Sequence, residues 1–274
     1  MGLWAVVCGD RGHVTVERLT PLRQITGERR QRIQAFVVAS LLALAVWQMM
    51  TFISGGWVPS LWRIFKALGA DATTANTYAE MWITLRRIFI TFAAATAIGV
   101  GLGVAMGLSR RVTVFFRPIV VMALAVPDIV YIIVAILVLG TDESSGLIAM
   151  VLALVPFVVN IVIGGVGARD PGLDEMSSVY RLQRLRYLVD VVAWQVSPAL
   201  MAATRTCFAF SWKLIVLVEA LSQPRGIGAQ IYYSFRLLRP DHMIAQAILF
   251  IMVLRLIEAI TFGPLERKLL GWMQ

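Results

Sequence analysis

Long stretches of this chain carry no charge. Residues 33–62, 88–109 and 144–168 contain no Asp, Glu, Lys or Arg, and residues 118–141 contain only Asp128. A helix needs roughly 20 apolar residues to cross about 30 Å of hydrocarbon, at about 1.5 Å per residue. Each run is long enough. Two more runs are interrupted: 198–220 by Arg205, Lys213 and Glu219, and 243–263 by Arg255 and Glu258. The pattern predicts an all-α membrane protein with six transmembrane helices, over 34–54, 82–108, 118–140, 146–168, 198–220 and 243–263. A large soluble helical core does not repeat uncharged runs of this length. Residues 1–33 then form a basic amino-terminal arm, and 34–274 the six-helix domain.

One segment breaks the apolar pattern. "GLDEMSSVYRLQRLRYLVD", residues 172–190, holds Asp174, Glu175, Arg181, Arg184, Arg186 and Asp190 between two apolar runs. Leu173, Met176 and Tyr180 fall on one helical stripe, with Asp174 and Glu175 near its start, where carboxylates suit the helix dipole. Leu182, Leu185 and Leu188 or Val189 form a second stripe. Pro171 and Gly172 set the entry turn. The segment is patterned to fold and bury one face. It is read either as a helix lying on the lipid surface or as a docking element for a partner.

Charge fixes an expected orientation. Fifteen Lys and Arg fall in the amino-terminal arm, the second and fourth loops and the tail, against seven on the other side. The positive-inside rule places both termini and the 169–197 loop in the cytoplasm. The net charge of +9 is then the inside bias of a membrane protein meeting anionic lipid, and implies no nucleic acid. Mean hydropathy is +0.78, above the soluble range. Cys8 and Cys207 fall in different regions and give no disulfide framework. His13 and His242 fall on opposite sides, so no histidine metal cluster is expected. The basic amino terminus lacks the early apolar stretch of a signal peptide.

The motifs of chemistry are missing. There is no G-x-x-x-x-G-K-[ST] loop, no H-E-x-x-H and no G-x-S-x-G, so the chain is not expected to hydrolyse ATP or to hold a cofactor. Gly99, Gly103 and Gly107, with Ala95 before them, form a small-residue stripe suited to close helix packing in lipid.

At the charged segment the sequence resembles the permease subunit of type I binding-protein-dependent ABC importers, most of all the nitrate, sulfonate, taurine and bicarbonate kind. The family's cytoplasmic loop reads E-A-A-x3-G-x9-I-x-L-P. Glu175, Met176 and Ser177 stand at E-A-A, Arg181 at the Gly, Val191 at the Ile, and Ala193 and Trp194 at Leu-Pro, with Pro198 following. "VPS" at 58–60, "AMGLSRR" at 105–111, "VPD" at 126–128, Pro156, Asn160, Arg205, Trp212, Glu219 and "RGIG" at 225–228 extend the resemblance over about residues 58 to 272. The resemblance implies a type I importer permease fold with a cytoplasmic coupling helix. It implies two ABC ATPase subunits, a second permease subunit in a homodimer or heterodimer, and a periplasmic or lipid-anchored solute-binding protein. The solute implied is small and anionic. The coupling residues implied are Leu173, Asp174, Glu175, Met176, Ser177, Tyr180, Arg181, Leu182 and Leu185.

Ionisable groups inside a span usually face a partner or a water-filled path. Arg205, Trp212 and Glu219 recur every seven residues on the fifth helix and, with Lys213 and Asp128, are the candidate translocation-pathway residues. Lys213 has three readings: an ion pair with Asp128, a position facing the pathway, or snorkelling to an interface. Arg255 and Glu258 are spaced to pair locally. Two other classes stay open from the residues alone. One is an ion-gradient-driven secondary transporter, often marked by internal repeats. The other is a non-transporting membrane scaffold.

Overall fold

The computed structural model describes residues 5–8, 14–17, 22–55 and 57–270. The chain divides at Leu61/Trp62 into two compact units. In the first, β1 (Ala5–Cys8) pairs antiparallel with β2 (Val14–Glu17), and α1 (Leu22–Ile53) follows. The Trp47 indole N–H donates to the Pro59 carbonyl at 3.1 Å, so the chain leaving α1 folds back on its last turns.

The second unit is entirely helical among the described residues. It begins with α2 (Leu61–Thr73) and α3 (Ala75–Leu108), then α4 (Arg110–Ala125), α5 (Asp128–Leu139) and α6 (Glu143–Gly167). A short α7 (Pro171–Val179) leads to α8 (Arg184–Arg186). That turn widens into a π-helical stretch over Tyr187–Val192 and continues as α9 (Ala193–Ser222). Finally come α10 (Ile227–Arg236) and α11 (Pro240–Leu270). Among the described residues, five helical segments are long and apolar enough to span a membrane. The α4–α5 pair, bent by 97°, makes a sixth when its two helices are counted as one broken span.

The third span therefore differs from the continuous helix expected over 118–140. Pro127 has no N–H to donate and disfavours a helical conformation at Val126. Val126 and Pro127 are extended, at φ −78°, ψ 126° and φ −59°, ψ 136°. Pro156, though it too lacks an N–H to donate, sits buried inside an unbroken α6. The second span begins at Ala75, not 82. Its extra turns bury Thr77 and Glu80, and the start of the expected span buries Thr84 and Arg87 beside them.

The helices α3, α6 and α9 form the core. Gly99, Gly103 and Gly107 of α3 lie against Val158, Val162 and Val166 of α6. A Cβ on those glycines would stand 2.6, 2.7 and 2.5 Å from the valine Cβ atoms. The stripe read from the sequence thus lets two backbones approach closely, which suits lipid, where no hydrophobic driving force assembles helices. Gly165 meets Ala199 and Gly146 meets Val218 in the same way between α6 and α9. Ile88, Leu154, Val158, Cys207, Ile215 and Phe250 fill the space between them.

Candidate functional site

Two polar regions occupy opposite ends of this core. The first is the charged segment between α6 and α9. Pro171 at the first helical position and the Asp170 carboxylate, which accepts from the Gly172 N–H at 2.8 Å, start α7. This is ordinary capping chemistry for unsatisfied first-turn donors. The helix ends where Arg181 takes φ +50°. The Leu182 N–H reaches the Ser177 carbonyl and the Arg181 N–H reaches the Ser178 carbonyl, both at 3.1 Å. That bond pair is a Schellman ending, which usually places glycine at the left-handed position.

A side-chain relay ties α7 to the start of the fifth span. The Arg169 guanidinium donates to the Tyr187 hydroxyl at 2.8 Å, and that hydroxyl donates to Asp174 Oδ1 at 2.9 Å. Arg169 also stands 3.5 Å from Asp174 Oδ2. The Asp170 N–H donates to the Gln195 side-chain carbonyl at 2.7 Å. The π-helical stretch thus begins on the residue that fixes α7.

The apolar stripe of α7 is uncovered. Leu173, Met176 and Tyr180 are exposed, as are Glu175, Val179 and Leu185. The expectation that α7 is packed through Leu173, Met176 and Tyr180 does not hold in the chain by itself. Ser177 is the buried position, its hydroxyl bonded to the Asp174 carbonyl at 2.6 Å, and Leu182 is half-buried. The charge relay, not the apolar stripe, holds this helix. Asp174 has a structural role that its spacing does not reveal, with Arg169 and Tyr187 as its partners and Gln195 holding the Asp170 N–H beside it.

The second region lies at the other end of α3, α6 and α9. Glu219 is fully buried. Its carboxylate accepts from Arg87 at 2.7 Å, from the Thr84 hydroxyl at 3.0 and 2.9 Å, and from the Gly228 N–H at 2.9 Å. Arg87 is itself buried. It also donates to the Arg225 carbonyl at 2.8 Å and to Glu143 of α6 at 3.3 Å. Glu80 accepts from the Gly226 N–H at 2.6 Å and from Arg225 at 3.1 Å. Gly226, at φ +117°, presses against the Glu219 carboxylate where any Cβ would collide with it.

The "RGIG" turn is therefore clamped by two acids and a threonine. A polar cleft of about 640 Å³ opens beside it, lined among others by Asn76, Glu80, Gln223, Gln230, Tyr233 and Arg236. Glu219 belongs to this clamp, because Arg87, Thr84 and Gly228 occupy its oxygens. In the sequence Arg87 is only one of the seven cations on the less basic side. Thr84 and Glu80 gave no signal.

The other candidate pathway residues separate. Arg205 stands 3.4 Å from Glu258, which also accepts from Arg255 at 2.7 Å. The local Arg255–Glu258 pair is formed and extends to the fifth span. Trp212 packs edge-on against Phe250. The pair between Lys213 and Asp128 is not formed. The Lys213 ammonium instead lies 5.2 Å and 5.8 Å from the ring centroids of Phe210 and Trp212.

The fold is a bundle of apolar spans with a charged helix tied to one end of it. Residues 97–269 match the family described as binding-protein-dependent transport system inner membrane component. Similar proteins include the putative aliphatic sulfonates transport permease protein SsuC of Bacillus subtilis, 22% identical over 92% of both chains. The taurine transport system permease protein TauC of Escherichia coli is 24% identical over 72% of both chains. The nitrate import permease protein NrtB of Synechococcus elongatus is 22% identical over 81% of this chain and 85% of its own. Among solved structures, an inward-facing MetNI methionine ABC transporter chain superposes with a TM-score of 0.63 at 16% identity, covering 71% of this chain and 96% of its own.

The chain belongs to the family of binding-protein-dependent inner-membrane permeases. It is a multi-span permease component of an ABC importer, and its homologues are non-catalytic subunits.

Proposed function

We propose that this chain forms the translocation pathway for a small anionic solute and is driven by separate ATPase subunits through the 169–197 loop. The observation that carries the reading is α7. Its apolar stripe faces outward while Arg169, Tyr187 and Asp174 bind it to the fifth span. A helix uncovered on one side and fixed on the other is suited to receive a push from a partner and pass it to α9. The charge bias of fifteen against seven supports a cytoplasmic position for α7 and both termini. ATP hydrolysis then belongs to a pair of partner chains. A second permease subunit completes the pathway, and a periplasmic or lipid-anchored binding protein delivers the solute. An anionic cargo is supported by relatives named for sulfonates, taurine and nitrate.

The test is reconstitution. The chain, co-expressed with a cognate ABC ATPase subunit, is expected to co-purify with it. The complex should import a binding-protein-delivered anion only with ATP. Glu175→Arg should leave the complex folded but separate ATP hydrolysis from uptake. Uptake by the chain without any ATPase, or normal coupled uptake by the Glu175→Arg complex, overturns the reading.

A further inference from the structure

The outward stripe of α9 carries Ala202, Arg205, Ala209, Lys213 and Leu217, each partly or fully exposed. The two cations on it have different surroundings. Arg205 stands 3.4 Å from Glu258, a carboxylate it shares with Arg255. No carboxylate of the described residues pairs with Lys213, whose contacts are the rings of Phe210 and Trp212.

Those rings are themselves fixed. Phe210 stacks on Phe157 of α6 at 5.1 Å, and Trp212 meets Phe250 of α11 at 6.5 Å. The ammonium therefore rests on a platform braced by two neighbouring helices.

Its depth excludes a bland role. Lys213 is nine residues from Ser222, the last residue of α9, which is about 13 Å along the axis. With Ser222 taken as the edge of the span, that is near the middle of a hydrocarbon core of about 30 Å. A lysine stem does not reach either interface from there. An ammonium facing acyl chains costs about 2.5–3.5 kcal/mol on insertion scales, and a desolvated ring contact offsets about 2 kcal/mol of that. Ala202 and Ala209 below it leave room beside the helix.

From this geometry we infer that Lys213 is the charge-selecting residue of the pathway, its ammonium held on Phe210 and Trp212 to attract anions through water-filled space along α9. The inference rests on the reading of this chain as the solute-conducting subunit, and it names the residue that sets the sign of the cargo. Arg205 stands two turns away, where it shares the Glu258 carboxylate with Arg255.

The test needs neither solute nor transport. In a background with Cys8→Ser and Cys207→Ala, Ala209→Cys places a thiol one turn from Lys213, and Thr206→Cys is a second reporter on the same side. The assembled complex in membrane vesicles is treated with an anionic and a cationic methanethiosulfonate reagent, with and without ATP. Reaction with the anionic reagent should be favoured by at least about threefold over the ratio seen in Lys213→Met, as expected for a unit charge at this range in a wet site. Lys213→Arg should keep the preference. Complex abundance in the membrane is measured for each variant.

Failure of either reagent to react in both nucleotide states, at both reporters, overturns the inference, because the stripe is then covered by lipid or protein. An unchanged ratio in Lys213→Met also overturns it. If the preference emerges only in Asp128→Asn, Lys213 is instead paired with Asp128 of a second copy, and the inference fails. The importer reading fails separately, through the absence of an ATPase partner.

Discussion

The Tyr187 hydroxyl donates to Asp174 at 2.9 Å across thirteen residues of sequence. Tyr187 opens the π-helical stretch that leads into the fifth span, and Asp174 sits in the first turn of α7. A single hydroxyl thereby joins the exposed helix to the membrane helix, and it accepts from Arg169 at the same time. Tyr187→Phe keeps the ring and removes the relay. A hydrogen bond to a charged group contributes about 1.5–3 kcal/mol, so amide exchange across 171–179 should rise at least about tenfold. Hydrogen exchange followed by mass spectrometry on the purified complex reads this directly. Unchanged protection would show that Gln195 and the turn suffice to hold α7.

The ending of α7 gives an opposite prediction. Arg181 occupies a left-handed conformation at φ +50°, which costs a residue with a Cβ about 1–2 kcal/mol. Arg181→Gly should relieve this and raise the melting temperature of the detergent-solubilised complex by about 2 °C. Arg181→Val should lower it, since a branched Cβ tolerates that region least. The same substitutions locate the mechanical requirement, because a stiffer joint should not reduce coupling.

The clamp at the far end is predicted to fail when halved. Removing one member of a buried ion pair costs about 3–5 kcal/mol, because the other charge is left unpaired. Arg87→Met and Glu219→Leu should each reduce the folded protein recovered from membranes severalfold, measured by gel-filtration of a fluorescent fusion. The double substitution Arg87→Met/Glu219→Leu should recover more protein than either single change. If the double variant is as poor as the worse single one, Thr84, Gly228 and Glu143 depend on the charges as well.

Close approach of α3 and α6 makes a third pair of variants informative. Gly103→Val pushes against Val162 and the Val159 carbonyl, while Gly101 on the next face has nothing within 4 Å. Overpacking of this kind costs about 1–3 kcal/mol, so Gly103→Val should lower the melting temperature by several degrees. Gly101→Ala should be neutral. Equal effects at the two positions would place the helix contact elsewhere.

The spans were legible because charge-free runs have one physical explanation. Their ends were not. The start of α3 at Ala75 depends on burying Glu80, Thr84 and Arg87 against partners more than 130 residues away, a distance at which spacing carries no information. Pro127 announced a disruption, and Pro156 announced one equally. Only packing determines that the first turns the chain through 97° and the second leaves α6 unbroken.

The stripe of Leu173, Met176 and Tyr180 was visible as a pattern, but periodicity does not say whether a face is covered by its own chain or left open. Arg181 stood out as a departure from the family's glycine, and its backbone angle gives that departure a physical meaning. Lys213 stood out as a charge in a span. Its seat on two rings became visible only once Phe157 and Phe250 were in place.

The wide turn at Tyr187–Val192 sets a rotational phase. One residue is inserted relative to a regular helix, and each residue of an α-helix advances about 100° around the axis. Everything beyond Val192 is therefore turned by that amount with respect to Tyr187 and the helix it anchors. Excising a single residue there would swing Lys213 by a little more than a quarter turn about the axis of its own helix while leaving every amino acid of the pathway unaltered.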